Sequence, residues 1–124
     1  MVSSLKIVRR EQSARSRQHR GVLAQVIYER DGLEILRTEM ESGSVFNSQE
    51  FGDFSSAHYV IDGAAVFRTS RECTSLMPGD SIVFSDGDAY TISNGAPTRS
   101  VFLSVLFKPC ALKSTQLAAK ETLA

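Results

Sequence analysis

From Val22 to Lys108 the chain is a series of short β-branched and aromatic runs separated by turn residues, and no helical period is sustained anywhere in that span. Val22 to Glu29 alternates, Asp31-Gly32 supplies a turn, and Leu33 to Met40 alternates again, so the two runs are expected to form a hairpin. Leu33, Ile35, Arg37 and Glu39 then share one face, and Glu34, Leu36, Thr38 and Met40 the other. Further strands are expected over Val45 to Phe51 and Ala57 to Ile61. Asp62-Gly63 reads as a second hairpin turn from which Ala64 to Thr69 pairs back. Thr74 to Met77, Ser81 to Phe84, Ala89 to Ser93 and Ser100 to Lys108 complete the set, with turns at Pro78-Gly79, Ser85 to Asp88 and Asn94-Gly95. About eight to ten strands joined by tight connections leave a small barrel, a sandwich or a jelly roll as the workable solutions.

At 124 residues the chain holds one core. Its 42% hydrophobic and 23% charged residues exclude disorder and collagen-like repeats. Formal net charge is zero, so no whole-molecule attraction to nucleic acid or to an anionic membrane follows. The balance conceals an asymmetry: residues 1–20 hold six of the fourteen basic side chains and one of the fourteen acidic. That basic segment, with an edge strand expected at Leu5 to Val8, precedes a β-barrel over 21–112. Arg15 to Arg20 reads as a solvated loop or edge cover, with a nucleic-acid arm ranked last. Over 113–124, Ser114 to Leu123 reads as a terminal helix of about two turns or a frayed tail. No apolar run has the length of about 18 residues that spans a bilayer, and the N-terminus lacks the apolar stretch of a signal peptide. The cytoplasm is the expected address. Cys73 and Cys110 make neither a disulfide framework nor a zinc knuckle and read as reduced thiols without an activating base.

One stretch discriminates among the β architectures. Gly79, five residues, Ser85-Asp86-Gly87, two residues, Tyr90, three residues and Asn94 resemble the second cupin motif, G-x5-P-x-G-x2-H-x3-N, with Ser85 in place of proline and Tyr90 in place of histidine. The end of the first cupin motif is matched by Tyr59-Val60-Ile61-Asp62-Gly63, with Ser56 at its glutamate and its two histidine positions near Glu50 and Gly52. Within the cupins the layout resembles the ectoine synthases, through Ile7-Val8-Arg9, Asp31-Gly32-Leu33, Tyr59-x-Ile61-x-Gly63, Pro78-Gly79 and Phe107-Lys108-Pro109. The resemblance implies an all-β, single-domain cupin, a double-stranded β-helix or jelly-roll barrel.

It also implies a metal inside the barrel, held by glutamate, tyrosine and histidine. Carried over position by position, these become Ser56, Ile82 and Tyr90, so no matched ligand survives. With only His19 and His58 in the chain, no multi-histidine site can be built. A metal-free, cofactor-free site is expected; a set of Glu50, His58 and Tyr90 is the remaining route to a metal.

If Ser56 faces the interior, so do His58 and Val60, while Ala57, Tyr59 and Ile61 face outward. An imidazole in an apolar interior tends to be neutral and able to act as a general base, or else it is a hydrogen-bonded core residue. Tyr90 presents a phenol to the same cavity, as a donor to a developing oxyanion or as an aromatic filling the metal's place. Glu50 is a general acid, a base, an amine anchor or a solvated strand residue; Arg37 binds a substrate carboxylate or is solvated. Ser56, Ile82 and Phe84 line the cavity.

Two readings follow. The first is a cupin-type small-molecule enzyme, a lyase, isomerase or cyclase, that uses His58, Tyr90 and Glu50 for metal-independent dehydration, isomerisation or cyclisation. The alternative is a non-catalytic cupin that binds a small ligand or serves as a dimeric regulatory module. They are separated by the barrel interior, polar and convergent for an enzyme, filled for a platform. A homodimer is the expected assembly.

Overall fold

The structure, a computed structural model, describes residues 7, 9, 16–51, 54–85 and 88–108. The expected strand at Leu5 to Val8, the Asp86-Gly87 turn, Cys110 and the helix over Ser114 to Leu123 lie outside these residues. Ten strands are present: β1 (Ser16–His19), β2 (Val22–Arg30), β3 (Leu33–Met40), β4 (Val45–Asn47), β5 (Ser55–Asp62), β6 (Ala65–Arg68), β7 (Cys73–Leu76), β8 (Ser81–Phe84), β9 (Thr91–Ser93) and β10 (Ser100–Phe107). They form a six-stranded sheet in the order β1-β2-β3-β10-β5-β8 and a four-stranded sheet in the order β4-β9-β6-β7. All pairings are antiparallel.

Two-residue turns set the first registers. Arg20-Gly21 and Asp31-Gly32 all have positive φ, the conformation of a tight hairpin turn whose twist matches its strands. The β2–β3 hairpin therefore forms as expected, and the alternation of β3 buries Glu34, Leu36, Thr38 and Met40. Part of the basic segment before it is a strand. Residues 16–19 pair with β2 as an edge strand, because backbone hydrogen bonds alone hold an edge and need no apolar side chains.

Two other expectations are corrected. Val45 to Phe51 is a strand only to Asn47, after which Ser48–Phe51 is a 3-10 helix. The Asn47 side-chain carbonyl accepts the Gln49 N–H at 3.0 Å, closing the chain into a turn, and the Ser48 hydroxyl accepts the Tyr90 N–H at 3.0 Å. Asp62-Gly63 is not a hairpin: β5 pairs with β10 and β8, whereas β6 pairs with β7 and β9 in the other sheet. Gly63, at φ +74°, turns the chain between sheets hard against β10, and a Cβ there would meet the Arg99 carbonyl at 2.6 Å. Only glycine allows that approach.

The core lies between the sheets. Val22, Ala24, Val26, Leu36, Met40, Val60, Phe102 and Leu106 come from the large sheet and Phe46, Ala65, Phe67, Leu76 and Ile92 from the small one. Buried Phe51, Phe84 and Tyr90 fill the ends between them.

Candidate functional site

Strand β5 carries the residues at the centre. Its alternation points Ser56, His58 and Val60 inward, each at most 1% exposed, and leaves Tyr59 and Ile61 outside. On β10, Ser104 stands directly opposite His58 and is fully buried. Tyr90, just before β9, enters from the other sheet. These positions bring His58 Nδ1 to 2.8 Å from Ser104 Oγ and His58 Nε2 to 2.8 Å from the Tyr90 hydroxyl and 3.2 Å from Ser56 Oγ. Ser56 Oγ and the Tyr90 hydroxyl are 2.5 Å apart, and Thr38 on β3 extends the chain with a 3.4 Å contact to Ser104. Every polar atom of the imidazole is engaged by a protein hydroxyl.

Rings close the remaining space. Phe51, Phe67, Phe84, Tyr90 and Phe102 all have ring centroids within 6.2 Å of that of His58, and Phe84 stacks on Tyr90 at 3.7 Å. Burial among these rings lowers the His58 pKa from 6.5 to about 3, so the imidazole is neutral across the physiological range. Burial likewise raises Tyr90 to about 12, against the opposing effect of its hydrogen bond with Ser56.

The metal that cupin-like motifs imply is a poor match to this cluster. Among the described residues no three His, Cys, Asp or Glu side chains come together. One imidazole, a phenol held well above neutrality and two alcohols offer no carboxylate or thiolate, and both ring nitrogens are already hydrogen-bonded. The residues present do not fit a metal.

The other expected site residues lie elsewhere. Ile82 pairs opposite His58 on β8 and packs half-buried against the core, and Phe84 lies in it. Glu50 is exposed on the 3-10 helix, away from any strand. Arg37 faces the outside of the large sheet, in an ion pair with Glu39, which also lies 3.6 Å from Arg99. Cys73 is an exposed free thiol. Ser104, Thr38, Phe51, Phe67 and Phe102 carry no site signal in the sequence; the alternation of β10 places Ser104 inward, but its pairing opposite His58 depends on a contact 46 residues apart.

Asn94 of the motif is a loop clamp. Its side-chain amide donates to the carbonyls of Met40 and Thr98, each at 2.9 Å, and its carbonyl accepts the Ala96 N–H at 3.0 Å.

Outside this sealed centre, an open cleft of about 900 Å³ lies at the end of the small sheet. Its walls are the 69–72 turn on one side and residues 88–90 with Gln49 on the other. Asn47, Thr91 and Arg68, paired across β4, β9 and β6, run between them.

No family model and no curated protein matches the sequence. Solved structures do. A Cupin 2 conserved barrel domain protein from Salinispora arenicola superposes over 94% of this chain and 99% of its own at TM-score 0.72 and 14% identity. The chain has the cupin fold. The Cupin_2 domain of an XRE family transcriptional regulator from Enterobacter cloacae matches this barrel over 73% of the chain and 99% of its own, at TM-score 0.66 and 15% identity. A cupin-superfamily sugar phosphate isomerase from Silicibacter pomeroyi matches it over 71% at TM-score 0.60 and 16% identity. The chain spans only 60% of the isomerase's length. At these identities the likeness establishes the cupin barrel alone. Among the described residues no helix is long and apolar enough to cross a membrane.

Proposed function

We propose that this cupin is a metal-independent, non-catalytic module that binds a small ligand outside its barrel centre. One observation carries the reading: His58, the imidazole between the sheets, is 1% exposed, with both nitrogens bonded to protein hydroxyls and five rings around it. An acid–base catalyst needs a free nitrogen within reach of substrate and a pKa near the working pH. A base at about 3, enclosed, has neither. Small-ligand binding then falls to the cleft. The ring-closing elimination suggested by the ectoine-synthase resemblance rests on sequence motifs whose ligand positions are Ser56, Ile82 and Tyr90 here.

The enzymatic reading retains one supporting feature. Tyr90 both lines the cleft and contacts His58, which gives a hydrogen-bonded route from the cleft to the imidazole. A metabolite screen followed by amide chemical-shift mapping separates the two. The binding reading expects shifts centred on 68–72 and 88–91, retained in Tyr90→Phe, with the ligand recovered unchanged. Ligand turnover that is abolished in both Tyr90→Phe and His58→Gln would overturn it.

The outer face of the large sheet supports a reading of the assembly. Tyr28, Ile35, Val105, Ala57 and Val83 lie directly opposite one another across β2, β3, β10, β5 and β8, an apolar row on the face away from the core. Val83 is 68% exposed and Tyr59, in the neighbouring row, 48%. Four central strands of eight or nine residues span roughly 19 by 27 Å. With β8 added, the face reaches the several hundred Å² per partner typical of a stable dimer. A second copy presents a face of the same size and composition, and a homodimer is proposed through it.

A further inference from the structure

The side chains of the cleft define what it takes. Arg68 and Arg71 both line it, and among the described residues neither forms an ion pair; the only hydrogen bond to the Arg68 guanidinium's credit is a long one, 3.7 Å, to Cys73 Sγ. Each guanidinium presents up to five N–H donors and no acceptor. The opposing acceptors are fewer. The Asp88 carboxylate accepts the Ser85 N–H through one oxygen, Oδ2, at 3.0 Å, and the Thr69 hydroxyl accepts the N–H groups of Arg71 and Glu72. The Asn47 side-chain carbonyl is spent on Gln49, leaving its NH₂ to donate. Glu72 is the one carboxylate of the lining with no such bond among the described residues.

The cleft therefore presents unspent guanidinium donors, and Ala89 and Tyr90 are the apolar residues of its lining. We infer that it binds a small hydroxylated oxyanion, a phosphate monoester or a carboxylic acid, with its anionic group held by Arg68 and Arg71 and its hydroxyls by the Asn47 amide and Glu72. Planar guanidiniums grip phosphate and carboxylate in the same two-pronged way, so the anion's class is shared between those two sources. This inference rests on the reading of the protein as a small-molecule-binding cupin, and it names the ligand class of that site.

The test is a titration of the full chain, followed through backbone amide shifts, with glucose 6-phosphate, citrate, inorganic phosphate and uncharged glucose. Expected are saturable shifts at 68–72 and Thr91 with glucose 6-phosphate or citrate, and binding of glucose at least about tenfold weaker. The tighter of the two anions tells phosphate from carboxylate. Arg68→Gln and Arg71→Gln should each weaken the anion about tenfold or more, as loss of a charged hydrogen-bonding partner does. Glu41→Gln, a charge change at an exposed position outside the lining, should not weaken it. Because all three substitutions are at exposed positions, the amide spectrum of each also reports that it is folded. The inference is overturned if glucose binds as tightly as glucose 6-phosphate, if the arginine variants bind unchanged, or if none of the four probes moves these amides. A neutral metabolite that moves the same amides would remove the oxyanion while leaving the binding-module reading in place. Ligand turnover dependent on His58 would remove that reading instead.

Discussion

The Tyr90 hydroxyl lies 2.8 Å from His58 Nε2, and through that contact the chain entering the small sheet is tied to β5, an inner strand of the large one. Phe84, at the end of β8, stacks on the same tyrosine at 3.7 Å, so ring and hydroxyl each bridge the two sheets by a different interaction. Tyr90→Phe separates them. It keeps the stack but leaves His58 Nε2 and the Ser56 hydroxyl with only their mutual 3.2 Å contact, a loss expected to cost about 1 kcal/mol. Urea denaturation should show a lower midpoint with an unchanged slope. An unchanged midpoint would mean that the phenol contributes nothing to the cross-link.

How much of this was legible beforehand depends on the range of the interactions. The hairpin β2–β3, the inward face of Ser56, His58 and Val60, and the turn at Gly79 follow from period and turn chemistry within a few residues. The Asp62-Gly63 dipeptide has the composition of a hairpin turn, and only the approach of Arg99 and Ser100, far along the chain, shows that it is a corner between sheets. His58 was readable as an interior imidazole. Its enclosure was not, since Phe51, Phe67, Phe84 and Phe102 reach it from four separate elements. Arg37 looked like a candidate because side-chain type was visible and direction was not; β3 turns it outward to Glu39.

Gly63 and Gly43 make a controlled pair. Both have φ near +80°, at +74° and +81°, so alanine at either is strained by about 1 kcal/mol or more. At Gly43 nothing lies within 4 Å of the added methyl, whereas at Gly63 it meets the Arg99 carbonyl at 2.6 Å and Ser100 Cα at 2.8 Å. Backbone on both sides cannot yield cheaply. Gly63→Ala is expected to destabilise by at least about 2 kcal/mol more than Gly43→Ala in parallel denaturation experiments. Equal losses would show that the corner relaxes around the methyl.

Val83 tests the proposed dimer. It is 68% exposed at the end of the apolar row, and its side chain faces away from the core, so Val83→Glu should leave the fold intact. A carboxylate buried unpaired against an apolar partner face is costly. Light scattering after size exclusion should give a dimer for the wild type and a monomer for Val83→Glu, at unchanged circular dichroism. A wild-type monomer at about 100 µM, well above the Kd of a stable dimer, sinks the interface.

His58 is expected to make the fold acid-sensitive. Its pKa is 6.5 in the unfolded chain and about 3 in the fold, so below pH 6.5 the unfolded chain takes up a proton that the folded protein refuses. The contribution of the neutral, enclosed imidazole is thus complete above pH 6.5 and is lost as pH falls toward 3. The slope is roughly 1.4 kcal/mol for each pH unit in that window. At the alkaline end the sign reverses: Tyr90 at about 12 keeps its proton in the fold while the unfolded phenol loses it near 10, so stability falls as pH rises from 10 to 12. Urea midpoints measured at pH 7, 6, 5 and 4 should decline for the wild type. They should decline less steeply for His58→Gln, whose amide occupies the same pocket without titrating. Parallel acid profiles for the two proteins would place the acid sensitivity in other groups and require that His58 takes up its proton without leaving the aromatic enclosure.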